Sequence, residues 1–364
     1  MPLFTLVAGA RPNFMKIAPL IHALQKKQAE GIAVDFRLVH TGQHYDKNMS
    51  GDFFEQLNIP TPNANLGGGG GTQAEQTAAI LVAFEQELMA HRPDLVLVVG
   101  DVTSTLACSI SAKKLQIDVA HVEAGIRSGD LSMPEEINRM VTDSITDHFF
   151  TTSEIANTNL RTAGVPEDRI HFVGNTMIDT LLAQMPHFKK PAGKPFDQLQ
   201  AGEYFVMTLH RPANVDNEES LRELMEAILD GTAGLPVIFP VHPRTAKNLQ
   251  RLGIAAPNLH LISPLGYLEF NHLVQHAKGI ITDSGGVTEE ASVMNVPCIT
   301  LRDSTERAET IHLGTNELVG TDPKNLGPYL AKILQGNWKQ YQGIPLWDGH
   351  TAERIVDILL QHYH

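Results

Sequence analysis

Short apolar runs rich in β-branched residues recur at positions 4–7, 34–39, 95–99, 119–122, 148–151 and 171–173. Between them, as at 17–27, 74–92 and 134–146, apolar residues return every third or fourth position. The first pattern fits strands buried on both faces and the second fits amphipathic helices, so their alternation predicts a parallel sheet covered by helices. The pattern restarts at 204–209, 237–241, 259–261, 279–282 and 298–301, again with helical spacing between the runs. Residues 186–200, rich in Pro, Lys and Gln, read as a surface connection near the junction. The expectation is an α/β protein of two doubly wound domains, 1–174 and 175–350. A helix at 351–364 is expected to pack back on the first. Ligands of such sheets bind beyond the carboxyl ends of the strands, so the two domains are expected to face a cleft lined by those ends.

Composition narrows the class. A chain of 364 residues with 42% hydrophobic and 19% charged residues can bury a large core. Its net charge of −13 argues against a nucleic-acid partner held through phosphates. An anionic ligand must therefore find a local pocket of cations and backbone N–H groups. Cys108 and Cys298 fall in separate apolar segments and read as core thiols of a reducing compartment. No stretch approaches the roughly 18 apolar residues of a membrane span, and the start of the chain lacks a signal pattern, so a cytoplasmic protein without membrane contact is expected. Five glycines at 67–71 precede no Lys-Ser/Thr and follow no clear strand, so a flexible surface loop is expected there, not a phosphate loop.

The second half carries a phosphate-type turn. The strand at 279–282 runs into Asp283, Ser284, Gly285 and Gly286, and a helix follows at about 287–294. Residues without side chains at a strand-to-helix turn let a ligand oxygen reach backbone N–H groups, and the helix dipole favours negative charge there. Glu290, one turn on, offers two acceptors side by side to a ribose. The alternative is that Asp283 and Ser284 only cap the helix and Glu290 only complements its dipole. Arg302 and Arg307 follow the next strand, either converging on the same place or pairing with Glu306 or Glu309. His210, Arg211 and Asn214 follow the strand at 204–209, and His242 with Arg244 follows 237–241. Repetition of polar residues at strand ends is the stronger signal, since each one alone fits a solvated surface.

The first half supplies the carboxylates. Arg11 and Lys16 follow its first strand, Asp101 ends the strand at 95–99 with Thr103, Ser104 and Thr105 beyond it, and Glu123 ends the strand at 119–122. Asp101 and Glu123 thus reach one edge of the sheet, where surroundings that separate their pKa values divide acid from base. Asp101 also suits a helix cap. The segment 121–139 packs His121, Glu123, Arg127, Asp130, Glu135, Glu136 and Arg139 together. Within it, Ser132 and Glu135 have capping-box spacing and Arg139 lies one turn from Glu135, so local structure accounts for Glu135.

Taken in order, GARPNFMK, TGQHYD, VVGDVTSTLA, HVEAGIRSGD, MPEEINR, GNTMID, TLHRPAN, PVHPR, TDSGGVTEE and RDSTERAE resemble the motifs of the non-hydrolysing UDP-N-acetylglucosamine 2-epimerases over about the first 310 residues. The resemblance implies a glycosyltransferase-B type fold of two Rossmann-like domains facing a cleft, and reversible conversion of UDP-GlcNAc to UDP-ManNAc. The implied route eliminates UDP to a 2-acetamidoglucal and adds it back. No NAD or metal is implied, in keeping with a sequence that shows neither a GxGxxG fingerprint nor a zinc-type cluster. By the same resemblance Asp101, Glu123, Glu135 and His210 match catalytic residues. Arg11, Lys16, Ser284, Gly285, Gly286, Glu290 and Arg307 match nucleotide contacts, with Phe270 near the uracil. Gln43, Arg211 and His242 match contacts to a second, activating UDP-GlcNAc, although the 67–73 loop departs from the family by offering no arginine. The family's homodimer is the implied assembly. Rival readings are a hydrolysing epimerase, an epimerase of a modified UDP-sugar, and a non-catalytic UDP-sugar sensor; the last has no use for four catalytic groups.

Overall fold

The computed structural model describes residues 1–42, 56–241 and 243–363. The chain forms two compact units, Met1–Ala183 with Pro345–His364, and Gln184–Ile344. The first carries β1 (Leu3–Ala8), β2 (Asp35–His40), β3 (Ala64–Asn65), β4 (Leu95–Val99), β5 (Asp118–Val122), β6 (His148–Thr151) and β7 (Ile170–Phe172). They pair in parallel in the order β3-β2-β1-β4-β5-β6-β7. The second carries β8 (Phe205–Thr208), β9 (Val237–Pro240), β10 (Leu259–Ile262), β11 (Gly279–Thr282), β12 (Cys298–Thr300) and β13 (Asn316–Leu318), also parallel, in the order β10-β9-β8-β11-β12-β13.

Sequence explains the sheets directly. β4 is LVLVV with all five residues buried, and β11 is GIIT, equally buried. Strands of this composition lose apolar surface to helices on both faces, worth about 25 cal/mol per Å². One face of the first sheet is sealed by Ile80, Phe84 and Leu88 of the Gln73–Ala90 helix and by Ala107, Cys108 and Ala112 of the Thr103–Lys114 helix. In the second unit the Glu218–Gly231 helix lays Leu221, Leu224, Met225 and Ile228 on β8 and β9. Both cysteines are free and buried. No described helix is long and apolar enough to cross a membrane.

The strand order reverses between β1 and β4 in one sheet and between β8 and β11 in the other. At such switch points the connections leave in opposite directions and open a crevice at the carboxyl ends.

The chain passes from one unit to the next after Ala183, beyond the 174/175 junction read from the pattern. The reason is the Thr176–Gln184 helix, which buries Met177, Ile178 and Leu181 in the first unit. Its Asp179 accepts from the amides of Thr351 and Ala352 at 3.1 and 2.7 Å. These bonds hold the start of the Thr351–Tyr363 helix, which buries Ile355, Val356, Leu359 and Leu360. Lys26–Glu353 and Lys27–Asp357 pairs join it to the Arg11–Ala29 helix.

The glycine loop at 67–71 is anchored at its start. Gly68 is buried, its amide donates to the Thr41 carbonyl at 2.7 Å, and a Cβ there would lie 2.6 Å from Ile80.

Candidate active site

In the first unit the β1 turn is stapled by Asn13. Its Oδ1 accepts from the amides of Gly9 and Ala10 at 3.2 and 2.9 Å, and its Nδ2 donates to the Val99 carbonyl at 3.1 Å. This brings the end of β4 beside the start of the Arg11–Ala29 helix, whose first residue is Arg11. One turn into that helix, Lys16 places Nζ 2.6 Å from Glu123 Oε2, and both side chains are largely buried. Gly100 lies against this pair: a Cβ would meet Lys16 Nζ at 3.3 Å and Glu123 Oε2 at 3.7 Å, and its φ is +71°. Only glycine meets both demands comfortably.

Glu123 itself has φ +72°. Its amide and that of Ala124 donate to the Phe150 carbonyl at 3.0 and 3.1 Å, so β6 holds the residue in a conformation that side chains disfavour.

Asp101 is more open and faces Arg139, which donates from Nε at 3.0 Å and from Nη2 at 2.5 Å. The Asp101 carbonyl accepts from Asn138 at 2.8 Å. Asp101 is therefore not a helix cap; the N-cap of the following helix is Val102, without a side-chain bond. The capping box expected at Ser132 and Glu135 is also absent. Ser132 is taken by Asp130, which accepts from its amide and hydroxyl at 2.9 and 2.6 Å, and the Pro134–Ile145 helix starts from Met133. Glu135 is left partly exposed on the first turn, and among the described residues no hydrogen bond engages its carboxylate. Arg139 turns away from it to Asp101 and to Glu136 at 2.7 Å. Glu136 accepts from the amides of Ser128 and Gly129 at 3.0 Å each. Burial opposes the Glu136 charge, but these amides and Arg139 outweigh it and hold the carboxyl below its usual range.

In the second unit the turns after β8 and β11 are joined by Asp283, which is fully buried. It accepts from the amides of His210 and Arg211 at 3.0 and 2.9 Å and from Asn214 Nδ2 at 3.0 Å. His210 Nδ1 lies 2.7 Å from its Oδ1, while the ring is 62% exposed, so Nε2 is presented outward. Burial works against the Asp283 charge, yet His210, Arg211 and Asn214 hold its carboxyl below the usual range. A carboxylate that fixes one imidazole nitrogen sets the other up for proton transfer. Arg211 Nε also donates to the Asp283 carbonyl at 3.1 Å.

The Gly285–Val293 helix begins at Ser284 without a side-chain cap bond, and residues 284–287 are partly exposed. Gly285 and Gly286 thus offer amides at a helix N-terminus, where an anion is favoured, whereas the Ser284 amide donates to Thr282 Oγ1 at 3.0 Å and leaves its hydroxyl for a ligand. Glu290 is 4% exposed and accepts from the Tyr267 hydroxyl at 2.8 Å and Asn271 Nδ2 at 3.4 Å. Burial raises its carboxyl to about 7 against those two donors. Phe270 is partly buried on the same Tyr267–Gln275 helix. Arg302 pairs with Glu306 at 2.7 Å, whereas Arg307 pairs with Glu289 at 2.6 Å, a partner the local spacing did not suggest. Gln43 and His242 lie outside the described residues. Among the described residues no group of three or more His, Cys, Asp or Glu side chains converges as a metal site.

Each unit thus gathers its own half of the sequence candidates. Lys16 and Glu123 pair at the strand ends of the first unit, Asp101 follows the adjacent strand, and Glu135 lies on the Pro134–Ile145 helix. In the second, His210 is tied to Asp283 after β11, and Ser284, Gly285, Gly286 and Glu290 follow on the turn and helix beyond it. Sequence reasoning did not find Asp283 as the group orienting His210, or Tyr267 and Asn271 as partners of Glu290. A signal for the first was an acidic residue placed directly after a buried strand.

Known proteins are similar over the whole length. The family model described as UDP-N-acetylglucosamine 2-epimerase matches residues 25–360. A UDP-N-acetylglucosamine 2-epimerase of Methanocaldococcus jannaschii is 43% identical over 98% of both chains. A crystal structure of the Methanocaldococcus jannaschii UDP-GlcNAc 2-epimerase in complex with UDP-GlcNAc and UDP superposes with a TM-score of 0.87 at 42% identity, covering 100% of both chains. A UDP-2,3-diacetamido-2,3-dideoxy-D-glucuronate 2-epimerase of Pseudomonas aeruginosa is 37% identical over 99% of both.

Proposed function

The chain belongs to the UDP-N-acetylglucosamine 2-epimerase family, and from that membership we propose that it interconverts UDP-GlcNAc and UDP-ManNAc without net hydrolysis. The observation that carries this reading is the pair of carboxylates at the ends of adjacent strands. Glu123 is buried against Lys16 and Asp101 is open against Arg139. Unlike surroundings suit two carboxyls to unlike proton-transfer roles on the two faces of a sugar carbon.

In the proposed reaction a base takes the proton from C2 while the C1–O bond breaks and its electron pair leaves with UDP. The double bond that forms between C1 and C2 makes a 2-acetamidoglucal. A proton then returns to C2 from the opposite face, and the UDP oxygen adds back at C1. Glu123 and Asp101 are assigned the proton transfers at C2, with Glu135 as a third carboxylate on the neighbouring helix. Lys16 and Arg139 counter the charge that would otherwise make such carboxylates repel an anionic substrate. His210, fixed through Nδ1 by Asp283, is assigned proton exchange with the departing diphosphate through Nε2. The Ser284 hydroxyl and the amides of Gly285 and Gly286, with Arg307 and Arg11, are assigned to the diphosphate, Glu290 to the ribose and Phe270 to the base.

Support for the non-hydrolysing type comes from the GARPNF turn and the MPEEINR helix. A second reading, a C2 epimerase of a diacetamido uronate, is favoured by the Pseudomonas relative and uses the same chemistry at C2. Parallel incubations with UDP-GlcNAc and UDP-2,3-diacetamido-2,3-dideoxy-glucuronate, resolved by anion-exchange chromatography, test the assignment. Conversion of the first to UDP-ManNAc supports the main reading. Conversion of the second alone replaces it, and release of free sugar with UDP contradicts both.

A further inference from the structure

His121 lies in β5, two residues before Glu123, and is fully buried. Both ring nitrogens are engaged. Nδ1 is 2.7 Å from Asp143 Oδ1, and Nε2 is 2.8 Å from the Gly100 carbonyl oxygen. A carbonyl oxygen only accepts, so Nε2 carries a hydrogen. Asp143, on the Pro134–Ile145 helix, accepts at its other oxygen from the Gly125 amide at 3.1 Å and pairs there with Arg127 Nη1 at 2.7 Å. Burial pushes the Asp143 carboxyl up, but His121 and Arg127 outweigh burial and hold it below the usual carboxylate range. The ring therefore bridges the Asp143 carboxylate and the Gly100 carbonyl.

What the ring ties together are the two turns that carry the proposed acid and base. The Gly100 carbonyl belongs to the peptide that leads into Asp101, at a residue whose φ is +71°. The Gly125 amide, pinned to Asp143, closes the turn that begins at Glu123, where φ is +72°. Two left-handed turns on adjacent strands are thus fixed through one imidazole and one carboxylate. A side chain needed only to fill this space would be apolar, because a buried polar ring costs free energy unless every polar atom is paired.

Resting on the epimerase reading above, we propose that His121, backed by Asp143 and Arg127, is a positioning residue that fixes the separation of Asp101 and Glu123. It acts through the backbone at Gly100 and Gly125. Its loss should therefore reduce turnover without weakening nucleotide capture, which is assigned mainly to the second unit.

The test uses the full chain with His121→Asn and Asp143→Asn, assayed for kcat and KM with UDP-GlcNAc, for UDP affinity by calorimetry, and for Tm. With each variant folded at the assay temperature, kcat is expected to fall about 10²-fold, the scale of a 1 Å misplacement. KM and the UDP Kd are expected to stay within about threefold of wild type. A purely structural role would lower Tm while leaving kcat per folded molecule intact, and that result overturns the proposal. Should both variants fail to fold, Arg127→Met, made nearer the surface, loosens Asp143 without emptying the core. About a tenfold loss of kcat at unchanged UDP affinity is then expected, on the scale of one lost charge-assisted bond. Wild-type kcat in that variant overturns the proposal. A wild-type chain inert toward UDP-GlcNAc removes the UDP-GlcNAc reading on which this inference rests, whereas an active wild type with fully active variants removes this inference alone.

Discussion

Glu290 is a carboxyl placed where it holds its proton up to about pH 7 because burial penalises its charge. If it accepts ribose hydroxyls, it does so best ionised, so affinity must rise with pH. Uridine carries that ribose without a titrating phosphate, which isolates the effect. Its Kd is expected to fall by up to about tenfold per pH unit as pH rises toward 7, then level off. Glu290→Gln should abolish the slope. The sign for stability is the reverse. The folded state keeps a proton that the unfolded state gives up near 4.5, so the unliganded fold loses up to about 3 kcal/mol between about pH 4.5 and 7. Asp283 is the opposite case, a buried carboxyl kept charged by four donors. Asp283→Asn is expected to cost about 10²-fold in kcat, because His210 loses the partner that orients it. Steady-state assays at saturating UDP-GlcNAc measure this. The sequence revealed where these side chains sit but not whom they meet. Arg139 is one helical turn from Glu135, yet it faces Asp101, 38 positions away in the chain.

At the scale of elements, apolar runs were most legible where both faces are buried. Strands β4, β6 and β11 match their sequence limits residue for residue. Missed were β3, a two-residue Ala64–Asn65 pairing with β2, and β13, whose NEL has one apolar residue. Neither leaves a pattern long enough to read. A capping box forms where nothing competes for its members. Thr72 accepts from the Glu75 amide at 3.3 Å, and Glu75 accepts from the Thr72 amide at 2.8 Å, a complete capping box. Ser132 and Glu135 have the same spacing, but Asp130 claims the serine. Thr72→Ala is accordingly expected to cost about 1 kcal/mol in urea unfolding, and Ser132→Ala less than about 0.5 kcal/mol. Gly100→Ala tests the tight turn after β4. Its left-handed φ should cost about 1–2 kcal/mol, and the added methyl should press on Lys16 and lower kcat.

At the scale of the molecule, the division into two doubly wound units was readable because the strand–helix pattern visibly restarts. The exact crossing was not, since the Thr176–Gln184 helix belongs to the first unit through tertiary contacts alone. Likewise Glu135 acquires a catalytic assignment only through family resemblance; its surroundings show a partly exposed carboxylate. Activation by a second UDP-GlcNAc through Gln43, Arg211 and His242, which the family resemblance implies, predicts a lag. Initial rates starting from UDP-ManNAc alone should accelerate with time and be stimulated by traces of UDP-GlcNAc. The central claim is reversible removal of the C2 proton with the nucleotide retained in the product. Incubation with UDP-GlcNAc in D2O, followed by proton NMR, measures it most directly. The expected result is loss of the H2 signal in a mixture of UDP-GlcNAc and UDP-ManNAc, with no free sugar at equilibrium. UDP-ManNAc that retains its H2 proton, accumulation of free ManNAc, or an unchanged spectrum would contradict the account.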